Sequence, residues 1–279
     1  MILGSHLPQY GRASGPDAIR RAAVHAEELG FAGLWVSDHV AIPASQSYPS
    51  PHLYDPLITL TWAAAATRRI GLGTSVLVAP QHHPLELANQ LASLDNLSGG
   101  RVTIGVGVGW SEAEFAALNQ DFATRGRRTD EIIDVLRACW RDDPVTFHGD
   151  FYDLDEMRVL PKPAHDIAIW VGGASEPGWR RAVVKGNGFH AIGLTPEQTA
   201  PVIERIRRDR PEPEFTISMR TGWDPLGMDH DTIRAECDAW EAAGVQYVLS
   251  APWRTDVDDW LRSMEQLATI VGVTPTPST

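Results

Sequence analysis

The chain has 279 residues, 43% hydrophobic and 22% charged, with a formal net charge of −12. This is ordinary globular composition, with room for one large α/β domain or two smaller ones. The acidic balance argues against nucleic acid, whose binding needs clustered Lys and Arg, but leaves open an anionic cofactor held by backbone N–H groups. In chain order, Ile2 to His6 reads as a short apolar strand and Pro16 to Leu29 as a helix, with Ile19, Ala23, Ala26 and Leu29 on one face and Gly30 at its C-cap. Gly33 to Ser37 is a buried strand ending in Asp38-His39. Asp55 to Arg68 is a helix, and Ile70 to Val78 the third strand. Pro84 opens a helix through Leu87, Leu91 and Leu94, and Val102 to Val106 is the fourth strand.

The middle of the chain departs from this alternation. Ser111 to Leu118 and Arg127 to Trp140 read as helices, and Val145 to Leu160 as a hairpin turning at His148-Gly149-Asp150. Strand and helix then alternate again. The strands are Ile167 to Val171, Phe189 to Ile192, Phe215 to Met219 and Gln246 to Ser250. The helices include one opened by the capping box Thr195-Pro196-Glu197-Gln198, Thr232 to Ala243 and Asp256 to Val271. Eight strand–helix units predict a (β/α)₈ TIM barrel, with an insertion between its fourth and fifth strands. An open doubly wound sheet is the weaker alternative, because the first βα turn lacks the dinucleotide fingerprint. The Thr-Pro tail from Thr274 is expected to be disordered.

Cys139 and Cys237 are far apart with no CxxC spacing and read as reduced, packed thiols. No apolar run reaches membrane-spanning length, and Met1 leads almost directly into a strand. The expectation is a cytoplasmic protein without membrane contact, acting on a small molecule, with a homodimer possible.

In a barrel, residues just after each strand form the active site. This rule collects Asp38 and His39; Thr74, Ser75 and Val76; Gly107, Val108, Gly109 and Trp110; Gly172, Gly173, Ala174 and Ser175; and Gly193, Arg220 and Trp253. The set holds no metal-ligand cluster and no Ser–His–Asp triad, and suits a flat ring with a phosphate tail. His39 can hold or pass a proton near neutral pH; the plainer alternative is that Asp38 and His39 satisfy a turn. Their place at a buried strand exit favours function. Gly172 to Ser175 precede a helix whose N–H groups can bind phosphate. Gly107 to Trp110 offers backbone room and an aromatic wall, or a tight turn beside a core tryptophan. His82-His83 precede Pro84 and read as helix caps rather than metal ligands. Arg125, Arg127 and Arg128 are expected to pair with Asp130 and Glu131.

These segments, taken in order, resemble the luciferase-like monooxygenase superfamily over nearly the whole chain. The carriers are Ser37-Asp38-His39, Gly73-Thr74-Ser75-Val76, Ala92 to Arg101 leading into Gly105 to Trp110, Arg125 to Glu131, Phe147 to Tyr152, Pro161-Lys162-Pro163 and Trp170-Val171-Gly172-Gly173. The arginine-rich helix start and the Trp-Val-Gly-Gly element look most like an actinobacterial branch associated with coenzyme F420, a deazaflavin. The resemblance implies one barrel domain over residues 1–273 and hydride transfer to or from F420, with FMN as the alternative cofactor. It also leaves open an FMN-dependent monooxygenase and a non-catalytic flavin-binding protein.

Residue by residue, it implies that Asp38 and His39 line the deazaflavin ring, with His39 as the catalytic group near the hydride-accepting face. Ser75-Val76 match a bulge that backs the ring, often through a non-proline cis peptide. Gly172 to Ser175 match the phosphate turn. Sugar-phosphate dehydrogenases of the superfamily carry a glutamate where this chain has Trp110, so an apolar or aromatic substrate is implied instead. The insertion, Asp142 to Asp166, is expected to be either a lid that excludes water from the site or a surface or dimer-contact hairpin.

Overall fold

The computed structural model of the chain describes residues 1–274. In chain order its elements begin with β1 (Ile2–His6), α1 (Pro16–Leu29), β2 (Gly33–Val36), α2 (Pro56–Ala66), β3 (Gly71–Val78), α3 (Pro84–Ser98) and β4 (Val102–Gly107). An excursion follows: α4 (Glu112–Ala117), α5 (Arg125–Arg141), β5 (Val145–His148) and β6 (Asp153–Met157). The chain then resumes with β7 (Ala168–Gly172), α6 (Glu176–Lys185), β8 (Gly188–Ile192), α7 (Pro196–Asp209), β9 (Thr216–Thr221), α8 (His230–Ala242), β10 (Tyr247–Ser250) and α9 (Val257–Val271). The expected tail falls almost wholly on residues 275–279, outside the described residues.

The boundaries follow local chemistry. Gly30 ends α1 in the left-handed conformation (φ 88°), and the Asp55 carboxylate accepts from Ile58 N at 2.9 Å to open α2. Thr195 and Gln198 form the expected capping box of α7. The eight strands other than β5 and β6 pair in parallel and close in the order β1-β10-β9-β8-β7-β4-β3-β2. This is the (β/α)₈ barrel expected from the alternation, with the excursion between its fourth and fifth strands. No helix among the described residues is long and apolar enough to cross a membrane.

The barrel interior is filled by rings where the strands offer glycines. Trp35 stacks on Trp170 at 5.1 Å and on His190 at 6.0 Å, and its Nε1 donates to Tyr247 Oη at 2.9 Å. A Cβ on Gly73 would lie 2.5 Å from the Trp35 ring, so this strand glycine is the space the indole occupies. Gly105 is tighter still: its Cβ would meet the Thr74 carbonyl oxygen at 2.2 Å. Because the obstacle is backbone, Gly105→Ala is expected to destabilise the fold by about 3 kcal/mol. A thermal melt should show the midpoint falling several degrees, and an unchanged midpoint would contradict this packing.

The long motif from Ala92 to Arg101 does its work at the other end of the barrel from the strand exits. The buried Asp95 carboxylate accepts from Val102 N (3.3 Å) and Ala164 N (2.7 Å), and Arg101 donates to the carbonyls of Ser98 and Ile70 at 2.7 and 2.9 Å. These residues tie the base of β3, β4 and β7 together.

The hairpin predicted in the excursion is present as β5 and β6, paired antiparallel. None of residues 142–166 lines the large cavity described below. The hairpin packs on α5, and Glu131 accepts from the amides of Asp150, Phe151 and Tyr152 at 2.7–2.9 Å. Asn89 and Asn96 of α3 hold the carbonyls of Leu160 and Lys162 at 2.8 and 2.6 Å. Of the two expectations for this segment, its contacts are those of the surface hairpin: hydrogen bonds tie it to the outer helices. The arginine cluster is corrected. Asp130 pairs with Arg181 at 2.6 Å and Glu131 is taken by the hairpin, so Arg125 lies over Phe122 and Arg127 and Arg128 over Phe151.

Candidate active site

The C-terminal ends of the strands surround a cavity of about 660 Å³. Of the expected site residues, Asp38, His39, Ser75, Val76, Gly107, Gly109, Trp110, Gly172, Gly173 and Ala174 all line it, with Arg220 and Trp253 from β9 and the β10 exit. Three members of the strand-exit set do not. Thr74 is fully buried and donates to the Gly105 carbonyl at 2.8 Å, because strand alternation turns it away from the cavity. Ser175 sits at the N-cap of α6, outside the wall, and at the end of β8 the wall is made by Ile192 rather than Gly193.

The floor is built around Val76. The Ser75-Val76 peptide is cis, as the resemblance implies, and the β3–β4 register shifts between Thr74 and Leu77. A Cβ on Gly107 would lie 2.5 Å from Val76 Cγ2, and one on Gly172 2.6 Å from Cγ1. Glycine on both sides is what lets this side chain lie between β4 and β7. Gly173 has φ +152° and nothing nearer its absent Cβ than 3.6 Å, which leaves its backbone open beside the N-terminus of α6.

Asp38 and His39, adjacent in sequence, have different partners. Asp38 Oδ2 accepts from Val78 N at 2.8 Å and from His82 Nε2 at 2.7 Å. Burial opposes a charge on His82, but the Asp38 carboxylate outweighs it and raises the imidazole pKa. Of the two histidines before α3, His83 accepts from Leu85 N as the expected cap, whereas His82 bonds Asp38 of the cavity wall.

His39 pairs with Glu114, a residue the sequence reading did not select. His39 Nδ1 lies 3.0 Å from Glu114 Oε2, while Oε1 accepts from Val40 N and Ala41 N at 2.6 and 3.1 Å. Glu114 is 2% exposed. Burial alone would raise its pKa, but the bonds from His39 and Ala41 hold it down at about 2. An ionised Glu114 requires Nδ1 of His39 to donate, which leaves Nε2 as the free nitrogen of a residue on the cavity wall. Trp110, 56% exposed, meets the His39 ring edge-on at 5.5 Å.

Behind Ser75 is a buried polar layer that the sequence reading also missed. His6 Nδ1 donates to the Leu7 carbonyl at 2.8 Å, and its Nε2 accepts from Ser37 Oγ at 3.0 Å. His190 Nδ1 donates to Ser218 Oγ at 2.7 Å, and its Nε2 accepts from Ser75 Oγ at 2.8 Å. Both imidazoles are neutral: burial, then the nearby Arg220, pushes His6 well below its usual range and His190 down to about 3. These histidines hold Ser37 and Ser75 in place and carry no charge themselves.

The loop after β2 completes the mouth. Tyr48, Pro49 and Leu53 line the cavity, and a single bridge between Tyr10 and Leu53 pins the loop to the β1 side. No periodicity marks these residues in the sequence.

The luciferase-like monooxygenase family matches residues 1–255. The chain belongs to that family. It is similar to the F420-dependent glucose-6-phosphate dehydrogenase of Amycolatopsis mediterranei, 32% identical over 267 residues, covering 91% of this chain and 77% of that protein. It is also similar to the 4-hydroxyprotoasukamycin monooxygenase of Streptomyces nodosus subsp. asukaensis, 35% identical over 180 residues, covering 63% of this chain and 47% of that protein. Among solved structures, the monooxygenase RslO1 of Streptomyces bottropensis superposes with a TM-score of 0.83 at 22% identity, covering 97% of this chain and 98% of that one. Members of the family are thus oxidoreductases or monooxygenases, F420-dependent ones among them.

Proposed function

We propose that this protein is a coenzyme F420-dependent oxidoreductase that moves a hydride between the deazaflavin and a small organic molecule with an apolar or aromatic body. The observation that carries this reading is the pairing of His39 with Glu114 on the wall of a cavity floored by Val76 and flanked by Gly107 and Gly172. Asp38 Oδ1, buried without a hydrogen-bond partner, supplies an unused acceptor beside that floor. A planar ring with donor groups suits such a site.

When bound, the deazaflavin supplies two-electron hydride chemistry. Val76 would back the ring, and Gly173, Ala174 and the first turn of α6 would hold phosphate through backbone N–H groups. Glu114 fixes the His39 tautomer, and His39 holds or moves a proton at Nε2. Tyr48, Leu53 and Trp253 narrow the mouth and reduce water access. Trp110 stands where the sugar-phosphate dehydrogenases have a glutamate, which favours an apolar or aromatic substrate over a sugar phosphate.

An FMN-dependent monooxygenase is the second reading, favoured by the 35% identity to a protein named as a monooxygenase. Fluorescence titration of the cofactor-free protein separates the two: F420 is expected to bind at least about tenfold more tightly than FMN, a difference of roughly 1.4 kcal/mol. Gly173→Val should weaken F420 binding by a similar factor because it blocks backbone approach; the positive φ of Gly173 strains any side chain, so the melting midpoint falls as well and affinity is compared on the folded fraction. Equal affinity in wild type and variant would remove the phosphate assignment, and tighter FMN binding would favour the monooxygenase.

A further inference from the structure

Arg220, at the end of β9, is the one lysine or arginine on the cavity wall among the described residues. Its Nη1 donates to the Ser75 carbonyl at 2.6 Å and to Ser37 Oγ at 3.1 Å, and the guanidinium lies 4.9 Å from the Trp253 ring centroid. These contacts are dipoles and a ring face, not counter-charges. Each carboxylate on or beside the wall already has its own imidazole: Asp38 has His82 and Glu114 has His39. The ionisable groups that act on Arg220 among the described residues are the phenols Tyr10 and Tyr48. Burial raises the Tyr10 pKa against the pull of Arg220, so Tyr10 stays neutral. His6 and His190 are neutral as well.

A part-buried guanidinium without a counter-charge is costly. Nη1 is engaged by Ser75 and Ser37, and the Tyr10 phenol is a further neutral hydrogen-bond partner of the guanidinium, so no protein charge competes with a ligand for its remaining donors on the planar fork. A single fork suits a planar monoanion such as a carboxylate. Beside the fork, Tyr10 and Trp253 lie 5.1 Å apart and tilted by 39°, an aromatic surface for a flat apolar body.

We propose that Arg220 binds the carboxylate of an aromatic or conjugated carboxylic acid substrate, whose body lies against Tyr10 and Trp253. The proposal rests on the reading of this cavity as the active site and specifies its substrate class. The same planar-anion chemistry could come from a second source, the ionised ring of reduced F420, and the experiment distinguishes the two.

The cofactor-free full chain is titrated by calorimetry and tryptophan fluorescence with benzoate and cinnamate, and with the neutral benzamide and cinnamamide. The acids are expected to bind about 10–100-fold more tightly than their amides, the range of a hydrogen bond to a charged group. Arg220→Gln should abolish that preference and Arg220→Lys should keep part of it. If the Gln variant does not fold, the Lys variant and competition of acetate against cinnamate on the wild type carry the test; acetate is expected to displace cinnamate. Equal binding of acid and amide overturns the proposal, as does no binding of either acid up to roughly 10 mM, the limit of a useful affinity. An Arg220 variant that keeps the acid preference and weakens only reduced F420 also overturns it and assigns the arginine to the cofactor. Because the acids are titrated without cofactor, a failure to bind F420 leaves this result standing and counts against the proposed function alone.

Discussion

His39→Ala is expected to leave the barrel folded and to slow hydride transfer by roughly 10²–10⁴-fold, the usual range for a positioned acid–base group. The residue sits on the cavity wall at the exit of β2, with Nδ1 committed to Glu114 and Nε2 left for the reacting partners. Cofactor affinity should change far less than turnover, since the floor around Val76 and the Gly173 turn are untouched. Stopped-flow reduction or oxidation of bound F420, run beside circular dichroism, reads both effects. An unchanged hydride rate in a folded variant would make His39 a structural residue of the loop after β2.

Glu114→Ala should show the larger effect on stability. The carboxylate is buried and accepts from one imidazole and two backbone amides, so its removal strands three donors of the 39–41 segment. Breaking a buried charged contact of this kind costs about 3–5 kcal/mol. Glu114→Gln keeps an acceptor oxygen and should cost less, yet it removes the negative charge that faces His39. Its signature is a changed pH profile of turnover at near-normal cofactor affinity, which loss of fold alone would not give. The acid dependence has a definite sign. The folded pKa, about 2, lies below the ordinary carboxylate value of 4.5. The stabilisation from Glu114 is therefore complete above about pH 4.5 and is lost as pH falls toward 2. Denaturant unfolding at pH 7 and pH 3 should show a steeper loss of stability in wild type than in Glu114→Gln. Parallel losses would contradict the assignment.

The barrel was legible because each strand is a short apolar run and each helix carries a cap or a periodic face, and those signals are local. Several wall positions were legible for a related reason: in a parallel barrel the exits of successive strands converge whatever the sequence separation. The partners inside the site were not. Asp38 and His39 read as one acid–imidazole pair, but neighbours in an extended segment point to opposite sides. Asp38 reaches His82 and His39 reaches Glu114. Glu114 was hidden by its position three residues after Ser111, where a glutamate ordinarily serves a helix cap. Ser111 does accept from Glu114 N, yet the carboxylate leaves the helix for the loop after β2. His6 and His190 lay in runs that read as apolar strands, and their hydroxyl partners Ser37, Ser75 and Ser218 come from other strands. The excursion stayed undecided between lid and surface hairpin in the sequence, because the glutamate and asparagines that tie it down sit on α3 and α5, far from it in the chain.

The central claim is that the cavity over Val76 takes a deazaflavin. It is tested most directly by producing the full chain in a host that makes both coenzyme F420 and FMN, purifying it without added cofactor, and identifying the bound molecule by mass spectrometry and absorbance. The account predicts F420 in the wild type and a reduced F420 content in Gly173→Val. FMN in the wild type, or an undiminished F420 content in a folded Gly173→Val protein, would contradict it.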